Sequence, residues 1–216
     1  MTITEEITST KPESMPGESV TIPRAILRAA ILATDPTRGN DKGRPVLSAL
    51  RLSVESGELV AGATDSYTLT EYRVETEAGD FGPVLISSEG VDTILATTKA
   101  KAYAGKEDTL TLMGDVLTLD TGDTLATIST QEGTYPDYTA LIPEPGFGEA
   151  SQLAGCGYNA EYLAKVAKVG KALQSKPRTA ARVELITLND GSRPSRWHLT
   201  GDLGAAMFLI MPLRKA

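Results

Sequence analysis

One pattern runs three times along this chain: a short strand, a short helix, then three more strands. Such a repeat decides the architecture before any single residue does. The first copy spans about 18–78. Its strand, Ser19 to Ile22, leads into Pro23, which suits the first turn of a helix running from Arg24 to Ala33. After a loop holding Pro36, Gly39, Gly43 and Pro45, apolar Leu50, Leu52 and Val54 alternate with Arg51, Ser53 and Glu55, the signature of a half-buried strand. Ser56-Gly57 is a turn, and strands follow at about 58–63 and 67–75. The second copy spans about 81–137. It has a strand at Val84–Ile86, Ser87 or Ser88 as N-cap for a helix carrying Val91, Ile94 and Leu95, and three strands broken at Gly114-Asp115 and Gly122-Asp123. The third copy spans about 151–214. Its helix starts after Asn159, its strands fall at about 181–188, 194–200 and 205–211, and Asn189-Asp190-Gly191 suits a hairpin turn. Three copies of βαβββ predict an α+β fold with antiparallel sheets outside and helices on one face.

The remaining segments are punctuation. Residues 1–17 are rich in Thr, Ser, Glu and Pro and read as a disordered tail. The Pro- and Gly-rich residues 144–150 read as a linker. The first two copies then make a domain over 18–143, and the third stands alone over 151–216.

At 100° per residue, the third helix places Leu163, Val166, Ala167, Gly170 and Leu173 on one side. Lys165, Lys168 and Lys171 fall on the other, with Lys176 and Arg178 beyond. The first helix carries Arg24 and Arg28 one turn apart. A solvated charged face is the plainer reading of any such helix. However, the chain has a formal net charge of −7, so a segregated basic stripe points to phosphate contact, which needs only positive charge at the right distance. The acidic balance excludes a bulk nucleic-acid binder.

No catalytic constellation is visible. His198, the single histidine, sits in a strand beside Trp197 and reads as structural. No Walker A, G-x-S-x-G or G-x-G-x-x-G motif occurs. One Cys and one His cannot make a zinc site, and Asp120 and Asp123 are too few and too close for an EF-hand. Cys156 alone allows no disulfide framework and suits a reducing compartment. Neither a secretory h-region nor a membrane-spanning apolar run is present. The expectation is a cytoplasmic, non-enzymatic protein with no cofactor and no membrane partner.

Three motifs in order carry a resemblance. Arg44-Pro-Val-Leu-Ser-Ala-Leu-Arg-Leu52 followed by Leu59-Val-Ala-Gly-Ala-Thr-Asp-Ser-Tyr-Thr-Leu69 is similar to the middle domain of the bacterial DNA polymerase III sliding clamp (the beta subunit), where a strand leads into A-T-D-G-[HY]-R-L. Tyr135-Pro-Asp-Tyr-Thr-Ala-Leu-Ile-Pro143 resembles the F-P-D-Y signature closing that domain. Ala206-Met-Phe-Leu-Ile-Met-Pro-Leu-Arg214 resembles the clamp's C-terminal strand, and Tyr158-Asn-Ala-Glu-Tyr-Leu163 its last helix start. The resemblance implies a clamp shortened to one domain, 18–143, plus the back half of the last domain, 151–216. Full-length relatives have three domains of two halves each, and two chains close a ring around DNA.

The resemblance further implies a peptide groove formed by Leu47, Thr64, Ser66, Tyr67, Thr68, Leu69, Pro136, Leu141, Leu209 and Met211, with the hydroxyls of Thr64, Ser66 and Thr68 at its rim. Ser66 and Thr68 stand where the family has Gly and Arg. Arg24, Arg28, Lys165, Lys168 and Lys171 would face DNA. The implied partners are duplex DNA without sequence preference, polymerases and other proteins with clamp-binding motifs, a clamp loader, and further copies of the chain. The alternative is an interaction module that binds clamp partners without encircling DNA.

Overall fold

The computed structural model describes residues 17–41, 43–99, 105–144, 146–147, 157–176, 179–188 and 193–212. Most of the expected tail and linker, the first strand expected for the third copy, Cys156, Arg178, the Asn189–Gly191 turn and the last four residues lie outside that range.

The first two units run strand, helix, three strands, and a helix and three strands follow after a two-residue strand within the expected linker. The first unit is β1 (Glu18–Pro23), α1 (Arg24–Thr34), β2 (Leu50–Glu55), β3 (Glu58–Thr64) and β4 (Thr68–Glu75). The second is β5 (Phe81–Ile86), α2 (Ser88–Thr97), β6 (Glu107–Met113), β7 (Val116–Asp120) and β8 (Leu125–Ile128). The third is a two-residue β9 (Gly146–Phe147), α3 (Ala160–Ala172), β10 (Arg182–Leu188), β11 (Ser195–Gly201) and β12 (Gly204–Ile210). Local chemistry sets the helix starts. The Ser87 hydroxyl accepts from the Gly90 amide at 3.1 Å, and Asn159 Oδ1 accepts from the Glu161 amide at 2.9 Å, each satisfying an orphan donor of the first turn.

The first two units exchange strands. β1 of the first pairs antiparallel with β6 of the second, and β5 of the second pairs with β2 of the first. This produces a four-stranded sheet β1-β6-β7-β8 and contributes β5-β2-β3-β4 to an eight-stranded sheet that continues as β12-β11-β10-β9. The third unit therefore joins the first through β4 and β12, with Leu69 opposite Leu209 and Thr68 opposite Ile210. Gly204 begins β12 at φ +125°, where a Cβ would sit 2.8 Å from the Tyr72 ring; only glycine lets the two strands close there.

Strand alternation divides the side chains between two faces. Tyr72, Ala206, Phe208 and Ile210 join the main core, which also takes in α1, α2 and α3 residues such as Leu27, Ile94 and Val169. Their neighbours Leu69 and Leu209 point the other way and form a small separate cluster with Tyr138, flanked by Tyr135, Ile142 and Met207. No helix among the described residues is long and apolar enough to cross a membrane.

Candidate functional site

That second cluster is the floor of a cavity of about 230 Å3 on the sheet face away from the helices. Its walls come from four places. A single 3-10 turn after Arg44 supplies Leu47. The β3–β4 connection supplies Thr64, Ser66, Tyr67, Thr68 and Leu69; the segment after β8 supplies Pro136, Asp137, Tyr138 and Leu141; and the third unit supplies Pro194, Leu209 and Met211. All ten residues expected from the sequence thus line one cavity. Asp137, Tyr138 and Pro194 were not among them. The first two lie inside the quoted Tyr-Pro-Asp-Tyr motif and were legible there, whereas nothing in the sequence marks Pro194.

The β3–β4 connection is held by Asp65. Its Oδ1 accepts from the Tyr67 amide at 2.9 Å, the Thr68 amide at 2.7 Å and the Thr68 hydroxyl at 3.0 Å, an Asx-type turn. Ser66 adopts φ +76°, the left-handed backbone that favours glycine, so a non-glycine residue holds the turn there at some strain. Arg44 Nη1 donates to Ser66 Oγ at 3.0 Å. Beyond the turn, the Met211 amide donates to the Tyr67 carbonyl at 2.9 Å, closing the pocket across the two units.

Two of the three expected rim hydroxyls, those of Thr64 and Thr68, are a correction, whereas Ser66 is exposed at the mouth. Thr64 Oγ1 donates to the Thr68 carbonyl at 2.8 Å and Thr68 Oγ1 is engaged by Asp65; both residues are buried. A short polar side chain beside a tight turn satisfies the turn before it reaches outward. The exposed residues of the mouth are Ser66, Tyr67, Pro136, Asp137 and Leu141. Asp137 accepts from the Thr139 hydroxyl at 2.6 Å and amide at 2.9 Å, and these bonds hold its carboxyl below the usual carboxylate range. On the floor, the Tyr138 hydroxyl donates to Glu71 Oε2. Burial, then the Glu71 carboxylate, pushes the Tyr138 phenol well up, so it stays a neutral donor.

The expected DNA-facing cations divide. Arg24 is 1% exposed and is not DNA-facing: its Nε and Nη2 bind Asp108 of β6 at 2.9 and 2.6 Å, and Nη2 also donates to the Thr121 carbonyl. It starts the helix on the side turned to the second unit, where only an acid partner makes burial tolerable. Arg28 is half-buried, and its Nη1 donates to the Leu95 carbonyl at 2.9 Å and the Thr98 hydroxyl at 2.7 Å, at the C-terminal end of α2. Lys165 Nζ binds Asp65 Oδ2 at 2.6 Å, and the Tyr162 and Tyr67 rings stack beside it at 6.1 Å. It braces the pocket turn rather than standing clear in solvent.

The rotation of α3 explains this. Its buried residues are Val166, Val169 and Gly170, with Leu173 just beyond, while Leu163 and Ala167 are exposed. Lys168 and Lys171 lie opposite that face and are exposed; Lys165 lies on its flank. Arg28 and Lys171 line a second groove between α1 and α3, of about 600 Å3, with Lys106, Lys176, Leu32 and Leu203. It opens among the helices, away from the sheet face that carries the pocket. Among the described residues, no cluster of His, Cys, Asp and Glu could hold a metal.

No protein-family model matches the chain, and no curated protein matches it in sequence. Solved structures do. The chain superposes on the DNA polymerase sliding clamp of Pseudomonas aeruginosa with TM-score 0.73 and 18% identity, covering 93% of this chain and 68% of that one. A DNA polymerase III beta subunit from Thermotoga maritima gives TM-score 0.65 and 13% identity over 96% of this chain and 69% of that one. A sliding clamp from Bartonella birtlesii bound to griselimycin gives TM-score 0.68 and 16% identity over 94% and 68%.

Proposed function

We propose that this chain, which has the fold of bacterial DNA polymerase III β sliding clamps and spans about 68% of the length of one of them, is a non-enzymatic docking and processivity factor. Its role is to bind short hydrophobic peptide segments of replication proteins on one face and duplex DNA, without sequence preference, on the other. The supporting observation is the convergence of ten side chains from both sides of the β4–β12 join on one apolar cavity. Such a cavity gains affinity from apolar anchors leaving water, while a few polar groups fix the peptide's register. Here Leu69, Leu209 and Met211 receive the anchors. Asp137 is the acid at the mouth, so acidic peptide residues are disfavoured where a relative with Arg in place of Thr68 would favour them.

Fluorescence anisotropy with a labelled Gln- and Leu-rich peptide tests the peptide half. The parent protein binds saturably, and Leu69→Ala weakens binding by roughly tenfold, since a central anchor is worth more than about 1 kcal/mol. Leu112→Ala, on β6 away from the cavity, leaves the affinity alone. Absence of saturable binding by the folded parent would remove this role.

The DNA half is carried by Lys168 and Lys171. Replacing both with Glu lowers retention on DNA in a polymerase processivity assay, and residual binding falls with salt. One observation favours the second reading, a module that never encircles DNA: Arg24 is buried, and Arg28 and Lys165 are drawn into internal bonds, which thins the basic stripe. Full processivity in the doubly reversed variant would decide for that reading. The chain is expected to act in the cytoplasm and as an oligomer.

A further inference from the structure

Asp65 divides its two carboxylate oxygens between two units. Oδ1 stays within the first unit and holds the β3–β4 turn through the Tyr67 amide, the Thr68 amide and the Thr68 hydroxyl. Oδ2 is taken by Lys165 of α3, in the third unit, at 2.6 Å. Lys165 Nζ also donates to Thr68 Oγ1 at 3.3 Å, so ammonium, hydroxyl and carboxylate close a ring at the root of the turn.

The turn carries one wall of the cavity, since Ser66, Tyr67, Thr68 and Leu69 all line it. It is not self-sufficient. Ser66 sits at φ +76°, and a non-glycine residue keeps such a backbone only where its surroundings hold it. Several of those holds come from the third unit. The Met211 amide donates to the Tyr67 carbonyl at 2.9 Å. The Tyr162 ring stacks on the Tyr67 ring with 18° between their planes. Lys165 Nζ lies 5.6 Å from the centre of the Tyr162 ring, over its face.

Burial makes the Lys165–Asp65 tie matter. The two side chains are only 20% and 18% exposed. A carboxylate so placed needs its counter-charge; deprived of it, the group turns toward water and releases the amides on its other oxygen. The Arg182–Glu184 pair of the third unit is just as short, at 2.6 Å, but its side chains are 75% and 37% exposed. Water screens that pair, and little depends on it.

We infer that Lys165 is a positioning residue of the peptide pocket: acting through Asp65, it sets the wall formed by Tyr67 and Thr68, so a helix of the third unit governs how tightly the cavity holds a peptide. The effect on affinity rests on the peptide-docking reading above; the effect on the turn does not.

A double-mutant cycle on the full chain tests this. Lys165→Met keeps an apolar stem beside Tyr162 and removes the charge. Asp65→Asn keeps an oxygen that accepts from the Tyr67 and Thr68 amides and removes the ion pair. In anisotropy with the Gln- and Leu-rich peptide, each change alone weakens binding by about fivefold, and the double variant is no weaker than the worse single one, because both remove one tie. Lys165→Arg keeps most of the affinity, and Arg182→Met leaves it unchanged. Without peptide, amide hydrogen exchange at Tyr67, Thr68 and Met211 quickens by roughly tenfold in Lys165→Met, while amides of β6 and β7 keep their parent rates. A Lys165→Met protein that binds as tightly as the parent overturns the inference, as do losses that simply add in the double variant. A parent that binds no peptide removes the docking reading and the effect on affinity with it. Exchange at Tyr67, Thr68 and Met211 that ignores Lys165→Met overturns the positioning itself, whatever the peptide does.

Discussion

The paired first two units and the solitary third unit share a helix followed by three strands, yet they bury their residues differently. In the pair, both second strands are bordered on each side, and core-facing Leu52, Leu110, Leu117 and Leu119 are completely inaccessible. In the third unit Leu199, under α3, is equally inaccessible, but Val183, one strand further out, is nearly half exposed. Strand pattern determines which way a side chain points; whether it is buried depends on the mate that arrives from another unit. Even a full charge follows this rule. Arg24 of the first unit is buried because Asp108 of the second meets it, while Arg182 in the solitary unit stays in solvent with Glu184.

Stability measurements sharpen that contrast. Arg24→Ala, which strands Asp108 in the core, lowers unfolding free energy by about 3–5 kcal/mol in denaturant titration. Leu110→Ala costs about 2–5 kcal/mol through lost burial and the cavity left behind. Val183→Ala, read at dilute protein, costs less than about 1 kcal/mol, because part of its surface never leaves water. Lys168→Glu with Lys171→Glu changes stability by no more than about 0.5 kcal/mol per site. A Val183→Ala cost equal to that of Leu110→Ala would erase the distinction between the two regions.

Much of this was legible in the sequence. Alternation at Leu50–Glu55 placed that strand, and Ser87 and Asn159 marked helix starts that the structure bears out. The cavity lining was legible because its residues fall in contiguous motifs that resemble those of known clamps. What was hidden depends on distant partners. Arg24 looked like a surface cation because Asp108 lies 84 residues away, and Lys165 looked like a phosphate contact because Asp65 lies 100 residues away. The rotation of α3 was misjudged for another reason. Its Ala- and Gly-rich sequence puts small apolar residues on nearly every side, so Leu163 and Ala167 matched a core stripe as well as Val169 did. The hydroxyls of Thr64 and Thr68 were misjudged because a turn's internal needs do not appear in residue type.

The pocket lies where the two regions meet, and methionines report on it directly. Met211 lines the cavity and Met207 borders its floor, while Met113 ends β6 on the far sheet. Protein labelled with 13C at the methionine methyls, titrated with the Gln- and Leu-rich peptide and followed by NMR, tests the central claim. The account predicts saturable shifts at Met211, smaller ones at Met207 and none at Met113. A peptide that binds without moving Met211, or that moves Met113 as much, would contradict it.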